Sequence, residues 1–370
     1  MAIGFDCGTY HLVSCKRKDK EIVFKKEVNA FLEMPLDNRF VFNMMKNAGV
    51  PLIEQPEANI AYALGEAAVN MAYTMNQIEL KRPMKDGCLN PREKHAQQIM
   101  NVMCHSLIGE IDQPDEKLYY SVPANAINQE TDADYHSKIL QAMFKSYESE
   151  KGYKVDAYPI NEALALVYAE LANKNWTGIG ISFGAGMVNL CYAIYGAPVF
   201  QFSLVNSGDW IDKMASKAVG EETTTYVNKE KMNTDLTIEN PETLVQRAIK
   251  SQYEIMIQHT VQGIKKGIEE AGAKARSEHP VDVVVAGGTS MPKGFDVLFG
   301  KILEQAKLST LKIGKIIRPQ DPLYSVARGC LIAAENANWE RKRKKEERKA
   351  RNEKNSERFR SRSVFINAWI

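Results

Sequence analysis

Cysteine is scarce in this chain, and none of it is arranged as a redox or metal-binding pair. The six cysteines are spread over 370 residues without a CxxC pair or a regular spacing. Disulfide frameworks and zinc sites use such spacings, so we expect reduced thiols and a reducing compartment. The N-terminus also lacks the charged start and apolar run of a signal peptide. We therefore expect a cytoplasmic protein.

Two common nucleotide-binding fingerprints are missing as well. The sequence contains neither a Walker A loop nor a GxGxxG motif, which leaves P-loop and Rossmann chemistry unsupported. The six histidines have no spacing typical of metal ligands. They therefore predict no metal site of their own.

The composition is that of a folded globular protein. Hydrophobic residues make up 44% of the chain and the mean hydropathy is −0.35, which argues against disorder and against a membrane-spanning class. A chain of 370 residues usually divides into about two domains. Glycine and proline are dispersed rather than gathered in a linker, so we expect one compact body.

The charge is unevenly distributed. Residues 339–370 hold 12 lysines and arginines against five acidic residues, a net charge of +7, which leaves −5 for the body. The body is therefore not expected to bind nucleic acid. The tail ends in an apolar segment with Phe365 and Trp369, and a polybasic run beside an apolar end is suited to an anionic membrane surface. A merely solvated tail, a partner protein and nucleic acid remain alternatives.

Strand and helix signals alternate along the body. A strand, a glycine turn and a second strand follow one another twice, at residues 3–15 and 176–195. The apolar spacing also predicts buried strands at 119–122 and 281–286. Amphipathic helices are predicted at 66–75, 93–108, 132–146, 162–171, 210–218 and 241–271. This mixture predicts an α/β fold with hairpins.

Three glycine clusters each follow a predicted strand. Without side chains there, backbone N–H groups can approach an anionic ligand. One such cluster alone is more often a plain structural turn, but three in one chain are less ordinary. The clusters are Asp6-Cys7-Gly8-Thr9, Gly184-Ala185-Gly186 and Gly287-Gly288-Thr289.

These clusters and three further motifs resemble the superfamily of actin, sugar kinases and heat-shock chaperone ATPases. The likeness is greatest to its bacterial actins, MreB and MamK, and covers nearly all of residues 1–338. IGFDCGT at 3–9 resembles the first phosphate loop, ISFGAGMVN at 181–189 the second, and VVAGGTSMP at 284–292 the adenosine motif. The other matching segments are RPMKDG at 82–87, INEA at 160–163 and DPLYSVARG at 321–329.

The resemblance implies a two-lobed α/β ATPase fold of duplicated ribonuclease H-like domains, with mixed sheets flanked by helices and a cleft between the lobes. Lobe I is expected at residues 1–159, with a small subdomain at about 29–60. Lobe II is expected at 160–320, with a small subdomain at about 208–275. Residues 321–338 are expected to form a helix that returns to lobe I, and 339–370 a flexible basic tail.

The resemblance also implies roles for single residues in binding ATP or ADP with Mg²⁺. Asp6 is expected to hold Mg²⁺ through water, as a hard oxygen ligand would. Glu162 is expected to orient the attacking water, which makes Asp6 and Glu162 the predicted catalytic residues. The predicted nucleotide-binding residues are Gly8, Thr9, Gly184, Ala185, Gly186, Lys231, Gly287, Gly288 and Thr289.

Plainer explanations stay open for three of these positions. Asp6 can stabilise a local turn, and Glu162 is a residue that a helix N-terminus favours through its dipole. Lys231 fits a solvated helix face as well as it fits a place beside the adenosine. Asp209 resembles a family position near the nucleotide, without a geometry that the sequence supplies.

The chain departs from the family pattern at the second phosphate loop. Ser182 stands where the family usually has Asp, and Met187 where it has Thr, while Asn228 replaces a Glu beside the adenosine. A missing carboxylate weakens Mg²⁺ positioning, and a thioether cannot donate a hydrogen bond to phosphate. We therefore expect nucleotide binding with slow or absent hydrolysis, which leaves the assignment as an ATPase open.

The function that the resemblance implies is a bacterial actin-like cytoskeletal protein that polymerises head to tail into filaments. The alternative is a nucleotide-binding adaptor that does not polymerise and acts through its tail at a membrane or partner protein. A chaperone-like ATPase is disfavoured because the tail is too short for a substrate-binding domain. A sugar kinase is disfavoured because we find no substrate motif between the lobes.

Overall fold

The computed structural model of the chain describes residues 2–37, 39–74, 80–220, 223–308 and 311–337. The strands are β1 (Ala2–Cys7), β2 (His11–Lys18), β3 (Glu21–Val28), β4 (Phe31–Pro35), β5 (Leu52–Gln55), β6 (Ile60–Leu64), β7 (Met84–Lys85), β8 (Cys88–Leu89), β9 (Glu116–Val122), β10 (Val155–Asn161), β11 (Gly178–Phe183), β12 (Val188–Ile194), β13 (Ala197–Leu204), β14 (Val281–Ala286) and β15 (Ile313–Ile317). The helices are α1 (Arg39–Asn47), α2 (Gly65–Thr74), α3 (Ala96–Ile108), α4 (Ala133–Lys145), α5 (Glu162–Glu170), α6 (Gly208–Ala218), α7 (Thr224–Asn233), α8 (Leu244–Ala271), α9 (Phe295–Gln305) and α10 at residues 325–337.

Two five-stranded sheets with the same topology form the framework. The first has the order β10-β9-β1-β2-β3, and the second has the order β15-β14-β11-β12-β13. In each sheet the opening strand pairs antiparallel with the next strand and parallel with the fourth, as β1 does with β2 and β9 and β11 does with β12 and β14. The predicted duplication is therefore present.

Alternating side chains bury both faces of each sheet. Ile3 and Phe5 pack with α3 and α4, whereas Ala2, on the opposite face of β1, packs against α10. In the second sheet, Ile179 and Ile181 of β11 pack with α8 and α9, and the opposite face packs against α5. Each lobe thus uses one outer helical layer and one of the two helices, α5 and α10, that connect the lobes.

Glycines let α5 and α10 approach the sheets and each other. A Cβ atom on Gly4 of β1 would lie 2.2 Å from a carbonyl oxygen of α10, and one on Gly180 of β11 would lie 2.5 Å from the Ala163 carbonyl oxygen of α5. The two helices also cross each other, because a Cβ on Gly329 would lie 1.8 Å from the Ala165 carbonyl oxygen. Both lobes are therefore anchored to one close-packed helix pair.

Smaller units accompany the two sheets. A three-stranded sheet of order β4-β6-β5 packs with α1 and α2 around Leu32, Met34 and Phe42. Away from α5 and α10, the loop after β9 meets β13, since the Ile127 amide donates to the Ser203 carbonyl at 2.9 Å. The first and second lobes are thus also joined by backbone pairing.

The basic tail at residues 339–370 lies outside the described residues. Its expected interactions with a membrane or a partner protein therefore stay predictions. Among the helices that the structure describes, none combines the length and the apolar character needed to cross a membrane.

Candidate functional site

Each large sheet opens with a hairpin, β1–β2 or β11–β12, whose turn begins with glycine. A Cβ atom on Gly8 would lie 2.5 Å from the carbonyl oxygen of His11, and one on Gly184 would lie 2.9 Å from the carbonyl oxygen of Met187. Both glycines therefore lie against the carbonyl three residues ahead. The two turns share one local structure, as the repeated topology of their sheets predicts.

The tips of the two hairpins meet. Thr9 is buried, and a Cβ on Gly186 would lie 2.3 Å from its Oγ1 and 2.5 Å from the amide nitrogen of Gly87. Gly87 belongs to the β7–β8 turn, where it and Asp86 have φ angles of 73° and 48°, as a tight two-residue hairpin turn requires. Three backbone turns converge on Gly186 and leave no space for a side chain there.

Two carboxylates lie close to the base of these hairpins. The Ser121 hydroxyl donates to Oδ1 of Asp6 at 2.7 Å, and the Asn189 amide donates to Oε2 of Glu162 at 2.7 Å. Burial raises the pKa of Asp6 to about 6, while the hydrogen bond from Ser121 lowers it. Burial and then the negative charge of Asp6 raise the pKa of Glu162 to about 8. The two predicted catalytic residues are therefore close enough to feel each other's charge.

This pair of carboxylates fits a hard divalent cation. Each carboxylate is destabilised by burial, and Asp6 further disfavours the charge on Glu162. Among the residues that the structure describes, neither forms an ion pair with a lysine or arginine. Oxygen ligands of this kind suit Mg²⁺, whose charge would stabilise the ionised forms of both groups.

A third turn follows β14. Gly287 has a φ of 92°, and a Cβ there would lie 2.5 Å from the Phe183 carbonyl oxygen. The Thr289 hydroxyl donates to the Gly184 carbonyl at 2.7 Å, which ties this turn to the second hairpin. An added Cβ on Gly288 would meet no atom within 4 Å, so this glycine borders open space. All three glycine clusters are thus in one region.

A comparison with protein families decides the family of the chain. The family model described as Volactin matches residues 1–334, which include both large sheets and most of α10. The chain belongs to the volactin family. No curated protein matches the sequence.

Solved structures similar to this volactin-family chain are actin-like. MamK in its double helical filament aligns with a TM-score of 0.67 and 17% identity over 90% of this chain and 98% of that one. MreB 5 of Spiroplasma citri bound to AMPPNP aligns with a TM-score of 0.63 and 14% identity over 92% and 98%. A non-polymerising MamK mutant bound to AMPPNP gives 0.55 and 18% over 90% and 98%. The predicted two-lobed actin-like fold and the resemblance to bacterial actins are confirmed.

Lys231 of this volactin-family chain is buried rather than on a solvated helix face. Its Nζ lies 2.8 Å from Oδ1 of Asp212 and donates to the Gly208 carbonyl at 3.2 Å. Asn228 donates to the other Asp212 oxygen at 2.8 Å, and burial raises the pKa of Asp212 against the attraction of Lys231. Lys231 therefore lies beside the second hairpin, since the Gly208 amide donates to Gly184. Its contact with adenosine stays a prediction.

The two residues that depart from the family pattern in the second hairpin are both buried. Ser182 holds the fifth position of β11, as Asp6 holds the fifth position of β1. The second hairpin thus carries a hydroxyl where the first carries a carboxylate. Met187 is 2% exposed, and a Cβ on Gly87 would lie 2.6 Å from its Sδ. Its side chain packs on the β7–β8 turn, a contact between lobes that the sequence did not predict.

The sequence also did not predict the ion pair between Arg82 and Asp209. Nη1 of Arg82 lies 3.0 and 2.8 Å from the two carboxylate oxygens of Asp209. Arg82 precedes β7 in the first lobe and Asp209 is in the first turn of α6 in the second. Both residues stand in motifs that resemble the family, but 127 residues separate them. No local pattern could have placed them in contact.

Proposed function

We propose that this protein is an actin-like cytoskeletal protein that binds ATP or ADP with Mg²⁺ between its lobes and polymerises into filaments. The observation that carries the proposal is the meeting of the two glycine hairpins, with Asp6 and Glu162 near their base and the open turn at Gly288 close by. Two similar solved structures are bound to AMPPNP, and another is a double helical filament. These neighbours support the proposal through their shared fold.

The chain's own residues divide the work of binding. Asp6 would hold Mg²⁺, whose charge would offset that of the phosphates. Gly8 and Thr9 would donate from the first lobe, and the backbone of residues 184–186 from the second, because glycine turns expose N–H groups. The turn at residues 287–289 would lie under the nucleoside, where Gly288 has no side chain to obstruct it.

Hydrolysis is proposed to be slow. A carboxyl with a pKa of about 8, such as Glu162, is largely protonated at neutral pH, and only its ionised form can accept a proton from water. A Mg²⁺ ion held by Asp6 would favour that ionised form. Ser182 supplies no second carboxylate to help. We expect phosphate release from Mg-ATP to be slow in the wild type and to rise several-fold in Ser182→Asp. Wild-type release at rates ordinary for actins, abolished by Glu162→Ala, would contradict slow hydrolysis.

Polymerisation is tested by high-speed pelleting of purified protein with Mg-ATP, Mg-ADP or no nucleotide. The pellets are imaged by negative-stain electron microscopy. Filaments that require nucleotide are the expected result. Protein that stays soluble in every condition, while it binds nucleotide in a titration, would instead favour the adaptor that does not polymerise.

Gly288→Leu tests whether the open turn lies under the nucleotide. A Cβ there meets no protein atom within 4 Å, so the variant is expected to keep the wild-type melting temperature. A leucine side chain would nevertheless fill the nucleoside's place, and we expect affinity for a fluorescent ADP analogue to fall more than tenfold. Gly288→Ala is the matched control with a smaller effect. Unchanged affinity in the leucine variant would exclude Gly288 from the site.

A further inference from the structure

The guanidinium of Arg82 lies at the junction of the two hairpins. Its Cζ lies 5.6 Å from the ring centroid of Tyr10, in the turn of the β1–β2 hairpin. Its partner Asp209 donates its amide to the Ala185 carbonyl at 2.8 Å, in the turn of the β11–β12 hairpin. Arg82 therefore contacts one hairpin directly and the other through Asp209.

In the part of the chain that the structure describes, the guanidinium of Arg82 has N–H groups without an acceptor at this junction. Within the described part of the chain, Nη1 is its only nitrogen with an acceptor, which is Asp209. The side chains of Arg82 and Asp209 are 31% and 30% exposed, and an ion pair with this exposure contributes little net stability. A guanidinium has five N–H donors in a planar fork that matches a phosphate group. A phosphate dianion entering the junction would compete well with one carboxylate.

The side chains of Ser182 and Met187 in the second hairpin offer no positive charge to a phosphate, and the guanidinium of Arg82 can supply one. Ser182 is neutral, and the Met187 side chain packs on the β7–β8 turn. Only Pro83 and the short strand β7 separate Arg82 from that turn, so the same short segment places the thioether contact and the guanidinium. The first lobe thus brings a positive charge to this place, whereas Lys231 of the second lobe is paired with Asp212.

We propose that Arg82 is a phosphate-binding residue that selects nucleoside triphosphate over diphosphate. The guanidinium of Arg82 binds the terminal phosphate of a triphosphate instead of Asp209. A diphosphate lacks that phosphate and leaves the ion pair between Arg82 and Asp209 intact. The inference rests on the proposed nucleotide site and adds a specificity-determining residue to it.

The experiment measures the affinity of the full chain for AMPPNP and for ADP, each with Mg²⁺, by isothermal titration calorimetry. Arg82→Ala is expected to weaken AMPPNP at least tenfold and ADP less than threefold. Asp209→Asn removes the competing charge, so AMPPNP affinity is expected to stay the same or to increase up to about threefold. A purely structural ion pair predicts the same loss in both variants, since each breaks the same contact.

Arg17→Ala is the matched control. Arg17 pairs with Glu335 at 2.7 Å with side-chain exposures of 39% and 33%, and it lies at the end of β2 away from the hairpin turn. Its removal is expected to leave both affinities unchanged. If thermal unfolding shows that Arg82→Ala does not fold, Arg82→Lys is tested in its place. Its affinity is expected to fall for AMPPNP only.

Equal effects on the two nucleotides, or parallel losses in Arg82→Ala and Asp209→Asn, would overturn the assignment of Arg82 alone. A wild-type chain that binds neither AMPPNP nor ADP would overturn the proposed nucleotide site and this inference with it. The two failures are therefore distinguishable.

Discussion

The carboxyl of Glu162 links the stability of the protein to pH. Its pKa is about 8 in the folded chain against an ordinary value of 4.5, so the folded chain keeps a proton that the unfolded chain loses between these values. Stability therefore falls as the pH rises through this window. Asp6 acts in the same direction between 3.8 and about 6.

Without nucleotide, we expect the free energy of unfolding to fall between pH 5 and pH 8. Glu162→Gln should remove part of this fall and be more stable than the wild type at pH 8, by on the order of 2 kcal/mol, but similar to it at pH 5. Thermal unfolding of both proteins over a pH series measures the difference. Parallel curves for the two proteins would show that Glu162 does not titrate in this range.

The places of single residues in the fold were predictable where they lie within one short motif. Thr9 and Gly186 stand in hairpin turns and Asp6 in the strand before the first turn, as the local pattern indicated, while their roles in binding stay predictions. The pairs Arg82–Asp209 and Lys231–Asp212 were not predictable. Each depends on elements brought together by the tertiary fold, and charged residues on helices are usually solvated.

The crossing of α5 and α10 is the element on which both lobes depend. The helices lie so close that the backbone of α5 at Ala165 occupies the position of a side chain on Gly329. Overpacking at a helix crossing forces the backbones apart because neither helix can yield locally.

Gly329→Ala is expected to lower the free energy of unfolding by more than about 2 kcal/mol. The matched control is Gly300→Ala in α9, where the added Cβ meets only the end of the Ile316 side chain, at 2.9 Å. The control should be close to neutral, since alanine also favours the helix. Denaturant unfolding compares the two. Equal effects would mean that the close crossing does not govern stability.

Some elements escaped prediction for identifiable reasons. The strand β10 contains Pro159, which argues against a central strand, but β10 lies at the edge of its sheet and pairs only with β9, where proline is tolerated. The helix predicted from residue 241 begins at Leu244, because the Thr243 hydroxyl accepts the Gln246 amide as an N-cap. The strong buried strand at Val281–Ala286 has the predicted bounds.

At the scale of the whole molecule, a body of net charge −5 is joined to a tail of +7. Deleting residues 339–370 is expected to abolish co-sedimentation with phosphatidylserine vesicles and to leave nucleotide binding unchanged, because the proposed site lies entirely in the body. Neutral phosphatidylcholine vesicles are the control and should not bind either protein. Unchanged co-sedimentation after the deletion would exclude the tail as a membrane anchor.

The packing of α10 on the opening strand also sets an order of events during synthesis. Strand β1 is synthesised before the other strands of its sheet, yet Ala2 of β1 and Val13 of β2 are covered by Ala327 and Leu331 of α10, near the end of the described chain. The strands of the second sheet lie within residues 178–317, so all of them are available earlier. The lobe that begins first is therefore finished last, and one apolar face of its sheet stays uncovered by α10 until residues 325–337 have been synthesised.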